Sequence, residues 1–196
     1  MVRLLTPADY RTMPWKNGSG RTTEIAAYPS GAGLDTFLWR VSLADVGCDG
    51  PFSSFPGIER TIVLLEGAGM RLHGGGRAIE LTTPFAPHTF SGDVAIDCKL
   101  IAGPVRDFNA MFRRGRARGS VTVVPTGGAE FQPAQFRLAY AVSGVHECSG
   151  MTIAPIRLEA GHALLVTGAR AGDTPSLAIR PLGADPVALL VSVDCQ

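Results

Sequence analysis

The sequence predicts an all-β protein: a double-stranded β-helix present twice, as two similar barrels in one chain. Three observations carry this. Glycine (24) and proline (14) interrupt the 196-residue chain every few residues, which leaves little room for long helices. Between the breaks lie short runs rich in Val, Ile, Leu and aromatic residues, with the length and composition of strands. A 77-residue shift also lays RTIVLLEG (60–67) over RLAYAVSG (137–144), Ile79 over Ile156 and Leu81 over Leu158. Many short strands with Gly/Pro turns form sandwiches or barrels, and the echo makes two of them.

Taken in order, the elements begin with one helical stretch around PADYRTM, where Thr6 serves as N-cap and Pro7 fits the first turn. FLWRVSLADV then alternates as a strand does, with Trp39, Val41 and Leu43 on one face and Arg40 and Ser42 on the other. ERTIVLLEG contains the continuous apolar run IVLL, suited to a strand covered on both sides. GMRLH and RAIEL flank HGGGR, whose glycines read as a hairpin turn. VAIDCKLIAG, VTVVP, FRLAYAVSG, HALLVTG, LAIRPL and VALLVSV follow as further strands. VPTGGAEFQP (124–133) is the expected connection, which sets one lobe at 1–124 and the other at 125–196, packed as one unit.

The bulk numbers narrow the classes. A chain of 196 residues with 45% hydrophobic and 18% charged residues can bury roughly 70% of its unfolded surface without staples. Its formal charge of +1, from 18 basic and 17 acidic residues, lacks the concentrated basic field that nucleic-acid binding needs. The basic cluster RRGRARG (113–119) reads as a solvated turn. Cys48, Cys98, Cys148 and Cys195 lie far apart with no CxxC pair, so free thiols in a reducing compartment are expected. No stretch reaches the ~18 apolar residues of a membrane span, and MVRLLTPADYRTMPW lacks a signal-peptide core. A cytoplasmic location is expected, with no membrane partner.

Chemistry is sparse. His73, His88, His146 and His162 form no HxH or HxxxH, and a metal-binding barrel usually supplies two ligands from one strand at i and i+2. Neither a metal nor a cofactor is expected. No GxSxG or local cysteine signature marks a nucleophile, so no catalytic residue is assigned. What remains is a set of polar residues in unusual settings. Lys16 and Asn17 stand between Trp15 and Gly18, Arg40 and Ser42 share a strand face, and Arg60 opens the IVLL run. Asp93 follows FSG, and Asp107 and Asn109 flank Phe108. A buried arginine needs an anionic partner. For Arg60 that partner is either internal, from Asp93, Asp107 or Glu24, or the carboxylate of a ligand, which suits the planar guanidinium fork. In the second case Trp15, Trp39, Phe55 or Phe90 would supply apolar walls.

Five strings in this order, MPWKNGSGRTTEIA, FLWRVSLADV, DGPFSSFPGIERTIVLLEG, FSGD and GPVRDFNAMFRR, resemble the HutD/Ves family over about residues 10–114. Beyond them the likeness rests on strand pattern and RLEAGHALLV. The resemblance implies a cupin-like bicupin without the usual cupin metal ligands. It further implies an accessory or regulatory protein of histidine degradation that binds a small acid such as N-formylglutamate, formate or urocanate. The family's arginine in its PG-x-x-R string falls on Arg60, the implied carboxylate anchor. Lys16, Asn17, Arg40 and Ser42 are implied for the same pocket, with Trp15 and Phe90 as walls. Ser19 stands where many relatives carry glycine. Two other readings compete with a binding module: a cupin-type isomerase, lyase or metal-dependent oxygenase, and a protein–protein regulator. A homodimer is a reasonable default for such sheets.

Overall fold

A computed structural model describes residues 1–15, 18, 20–151, 153–168, 170–173 and 175–196, with the backbone alone at 171. The strands are β1 (Val2–Leu5), β2 (Arg11–Pro14), β3 (Gly20–Tyr28), β4 (Trp39–Val46), β5 (Gly50–Phe52) and β6 (Ile58–Glu66). Next come β7 (Met70–Gly74), β8 (Arg77–Leu81), β9 (Pro87–Ser91), β10 (Ile96–Leu100) and β11 (Val105–Arg113). The chain ends with β12 (Ala117–Val123), β13 (Ala129–Glu130), β14 (Phe136–Gly150), β15 (Ile153–Glu159), β16 (Ala163–Thr167) and β17 (Ala178–Cys195). Single 3₁₀ turns cover Pro7–Asp9 and Ala171–Asp173.

The helix expected around PADYRTM is that one 3₁₀ turn and no more. Asp9 closes it by accepting from the Thr6 backbone N–H and Oγ1, both at 2.9 Å. The chain then extends, because Arg11–Pro14 pair with Arg21–Glu24 of β3.

Two units emerge: Tyr10–Arg116, and Met1–Asp9 together with Ala117–Gln196. The sequence division at 124/125 differs at both ends, and strand pairing explains why. β12 pairs β17 from Ala117 to Val123, and β1 pairs Ala163–Val166 of β16.

In the Tyr10–Arg116 unit, a six-stranded antiparallel sheet runs β2-β3-β4-β11-β6-β9 and a four-stranded sheet runs β5-β10-β7-β8. Ala44, Ile62, Leu64, Met70, Leu72 and Leu81 from both sheets fill one core. In the other unit a single seven-stranded sheet, β1-β16-β14-β17-β12 with β13 and β15 attached, bends over its own core of Ala139, Cys148, Leu158, Leu164, Ile179 and Leu190. The 77-residue echo becomes structural. β6 lies between β11 and β9, and the start of β14 lies between the end of β17 and β16. β7 lies between β10 and β8, and the end of β14 lies between the start of β17 and β15.

LAIRPL and VALLVSV, read as separate strands, are one. β14 and β17 stay paired through register shifts around Ser143, so glycine and proline here bend strands without ending them. Gly144 sits at φ 66°, and a Cβ there would lie 2.6 Å from Pro186 Cβ. Gly144→Ala should therefore lower unfolding stability by about 2 kcal/mol or more, from left-handed strain and the clash together. A shift in the urea midpoint measures it, and an unchanged midpoint would show that the bend tolerates a side chain.

Cys48 is exposed, Cys98 and Cys148 are buried, and Cys195 is intermediate, all as free thiols. Burial pushes the Cys98 and Cys148 thiols up to about 12, which leaves both poor nucleophiles at neutral pH. Among the described residues no helix is long and apolar enough to cross a membrane.

Candidate functional site

The alternation read in WRVSL decides what faces the site. Arg40, Ser42 and Ala44 of β4 line a cavity of about 640 Å³, joined by Asn109 and Met111 from neighbouring β11 and Arg60 from β6. Register puts these residues level, with Met111 opposite both Arg40 and Arg60, and Asn109 opposite Ser42. Thr22 of β3, Met13 and Pro14 of β2, and Phe52 of β5 close the sides, and Trp15, Leu34, Ser53 and Phe55 come from loops.

Arg60 is 5% exposed. Its Nη2 donates to Asn109 Oδ1 at 2.9 Å and its Nη1 to the Ser53 carbonyl at 3.2 Å. Its Nε has no hydrogen-bond partner among the described residues. Phe52, Phe55 and Phe90 surround the guanidinium with centroids at 5.6, 5.4 and 5.2 Å, each within cation–π range. Burial lowers its pKa to about 10 against the pull of Asp107, and Arg40 adds to the lowering.

None of the internal partners expected for Arg60 pairs with it directly. Glu24 accepts from Arg40 Nε at 2.6 Å. Asp93 is held by Arg114, the Gly57 N–H and the Ser91 hydroxyl. Asp107 reaches Arg60 only through Asn109, whose Nδ2 donates to Asp107 Oδ1 while its Oδ1 accepts from Arg60. Both ends of the Asn109 amide are thereby fixed. Asp107 is fully buried, and its Oδ2 has no partner among the described residues. Burial pushes its carboxyl up to about 7, while Arg60 and Asn109 pull it back.

Arg40 is 3% exposed, and its Nη2 is likewise without a partner among the described residues. Two buried guanidiniums therefore line one cavity, each with a buried nitrogen that has no partner among the described residues, one balanced by Glu24 and the other by a carboxyl that burial tends to neutralise. Such an arrangement favours an anion. Trp15 is fixed by donating from Nε1 to Thr22 Oγ1 at 2.8 Å. A Cβ at Gly20 would sit 3.1 Å from the Trp15 ring and 2.3 Å from the Asp45 carbonyl, so the indole needs glycine there.

Of the residues singled out from sequence, Arg60, Arg40, Ser42, Trp15 and Phe55 line the cavity. Phe90 does not line it; opposite Arg60 on edge strand β9, it backs the guanidinium. Trp39 is buried and stacks on Tyr28 at 6.4 Å, as its odd position on β4 requires. Lys16 and Asn17 lie outside the described residues, as does Ser19. Asn109, Thr22, Met13 and Met111 went unassigned, although DFNAM held a signal: polar residues at i and i+2 share one strand face. In the RRGRARG cluster, Arg113 donates to the Phe37 and Asp35 carbonyls and Arg114 pairs with Asp93, so both tie loops down.

Among the described residues no group of three or more His, Cys, Asp or Glu side chains is placed to hold a metal. His146 is fully buried, and burial lowers its pKa.

A HutD family model matches residues 7–180. An uncharacterised 21.2 kDa protein in the hutC 3′ region of Pseudomonas putida is 40% identical over 148 residues, 76% of this chain and 77% of that one. The structure of HutD from Pseudomonas fluorescens SBW25, described as the formate condition, superposes with a TM-score of 0.85 at 33% identity, covering 100% of both chains. Oxalate decarboxylase from Bacillus subtilis, at 8% identity, gives a TM-score of 0.66 over 98% of this chain and 77% of its own, a likeness of cupin-like fold alone.

Proposed function

This chain belongs to the HutD family, linked to histidine utilisation through its relative in the hutC region, and from that premise we propose that it binds a small carboxylate without transforming it. Its role would be accessory or regulatory in histidine degradation, with formate, N-formylglutamate or urocanate as the candidate acids. One observation carries the reading: Arg60 is buried at the wall of a cavity, ringed by three phenylalanines, and among the described residues its Nε has no partner and no carboxylate pairs with it directly. A guanidinium so desolvated is costly unless an anion meets it, and its fork matches the two oxygens of a carboxylate. The formate condition named for the P. fluorescens HutD structure agrees with an acid of this size. The rival enzymatic reading draws on Asp107, whose carboxyl is near neutrality, but Asn109 stands between it and the cavity.

Thermal melting with each acid tests the proposal. An acid at 100 times its dissociation constant adds about 2.7 kcal/mol to stability, visible as a rise in Tm. One of the three should produce it in the wild-type protein. No shift with any at 100 mM would overturn the reading, and turnover of the bound acid would move the protein to the enzymes.

A further inference from the structure

We propose a second oxyanion site, in the unit formed by Met1–Asp9 and Ala117–Gln196, built on Arg137 with the hydroxyls of Ser192 and Ser120. Arg137 is 2% exposed. Its Nη2 donates to the Pro175 carbonyl, and its guanidinium lies 5.6 Å from the Phe131 ring centroid. Among the described residues its Nε has no hydrogen-bond partner and no carboxylate forms an ion pair with it. A buried cation left uncompensated is strongly destabilising, so an arginine kept in this position calls for an anion from outside the chain.

Register supplies the rest of the site. Arg137 of β14 is directly opposite Ser192 of β17, which is directly opposite Ser120 of β12. Directly opposed residues share one face of a sheet. That face is the inner one, because Val166, opposite Arg137 on β16, belongs to the core, as do Leu190 and Val124 at the same parity as Ser192 and Ser120. Exposure rises along the row, with Arg137 buried, Ser192 half-buried and Ser120 exposed. The row thus runs from a desolvated guanidinium past two serine hydroxyls to the protein surface.

The same place in the other unit is the candidate carboxylate site. Arg137 lies 77 residues after Arg60, and the row there reads Arg60, Met111, Arg40. The aromatic neighbour corresponds too. Phe55 donates its backbone N–H to the Gly92 carbonyl and Phe131 to the Leu177 carbonyl, and each ring stacks on its unit's arginine. Where the first row offers two guanidiniums, the second offers one guanidinium and two serines. Its ligand is therefore a small singly charged oxyanion, with a monocarboxylate as the natural class.

Equilibrium dialysis with labelled formate, on the full chain, counts the sites. Two per chain are expected in the wild-type protein, one in Arg137→Gln and one in Arg60→Met. A single site that disappears in Arg60→Met, two sites that both survive in Arg137→Gln, or no site at all overturns the proposal. A single wild-type site that survives in Arg60→Met and disappears in Arg137→Gln would count against the carboxylate reading and leave this one standing. Should Arg137→Gln fail to fold, the wild-type Arg137 Nε–H resonance gives the answer. It should move on saturation with formate, and the Ser120→Ala, Ser192→Ala double variant should need several-fold more formate to move it. A resonance that stays in place overturns the site.

Discussion

Arg60→Met removes the acid-induced rise in Tm while the ligand-free protein melts within a few degrees of wild type. Two opposing effects make the ligand-free change small. The substitution gives up hydrogen bonds to Asn109 and Ser53 and the three ring contacts, together worth a few kcal/mol. It also relieves the desolvation of a guanidinium, which itself costs several kcal/mol, and apolar replacements of buried charges are often neutral or better. Asp107, deprived of its nearby cation, is then held more firmly in its neutral form. Binding has no such compensation. Losing a desolvated charge-assisted partner costs about 2–5 kcal/mol, roughly 30- to 5,000-fold in affinity. Paired melting curves with and without acid measure both quantities. A collapse of the ligand-free protein, with no acid response in wild type, would make Arg60 a purely structural residue.

Asp107→Asn makes the protein more stable, and the gain grows with pH. Burial raises the Asp107 carboxyl from its ordinary 3.8 to about 7. Between those values the folded protein holds a proton that the unfolded chain has lost. This group's contribution to stability is therefore fully present below about pH 4 and declines as pH rises through about 7. The asparagine variant does not titrate, and its carbonyl can still accept from Asn109. The stability difference, variant minus wild type, should rise by up to about 1.4 kcal/mol per pH unit through that window, then flatten. Comparing variant with wild type cancels the opposite trend from Asp9, Asp45 and Asp93, whose pKa values are lowered. Urea midpoints at pH 5, 6, 7 and 8 give the slope, and parallel curves would place the Asp107 pKa in the ordinary carboxylate range.

Legibility from sequence followed local consistency. β4 and β6 could be read because alternation and apolar runs agree with their pairing. β11 escaped because its inward positions, Asp107 and Asn109, are polar, and a polar pair at the middle of a central strand breaks the pattern that identifies one. Where pattern and fold conflict in this way, a functional position is the usual reason. From sequence β14 stops at Gly144 and β17 splits in two before Pro186, because the bending role of each depends on the other's presence across the ladder. Alternation groups Arg40 with Ser42 on one face of β4, and both line the cavity. Phe90 was placed as a wall because no local signal separates a ring that lines a cavity from one that backs its arginine.

The pairing of β1 with β16 imposes an order on biosynthesis. At ~5–20 residues per second, Ala163–Val166 leave the ribosome roughly ten to thirty seconds after Val2–Leu5. In that interval the Tyr10–Arg116 unit acquires every strand partner shown for it, while the first strand waits with its hydrogen-bonding edge unclaimed. The nascent chain must keep those few residues extended and unengaged until the last third arrives. A chaperone, a fusion tag or a neighbouring polysome chain that captures this segment would therefore impair the half of the protein made last.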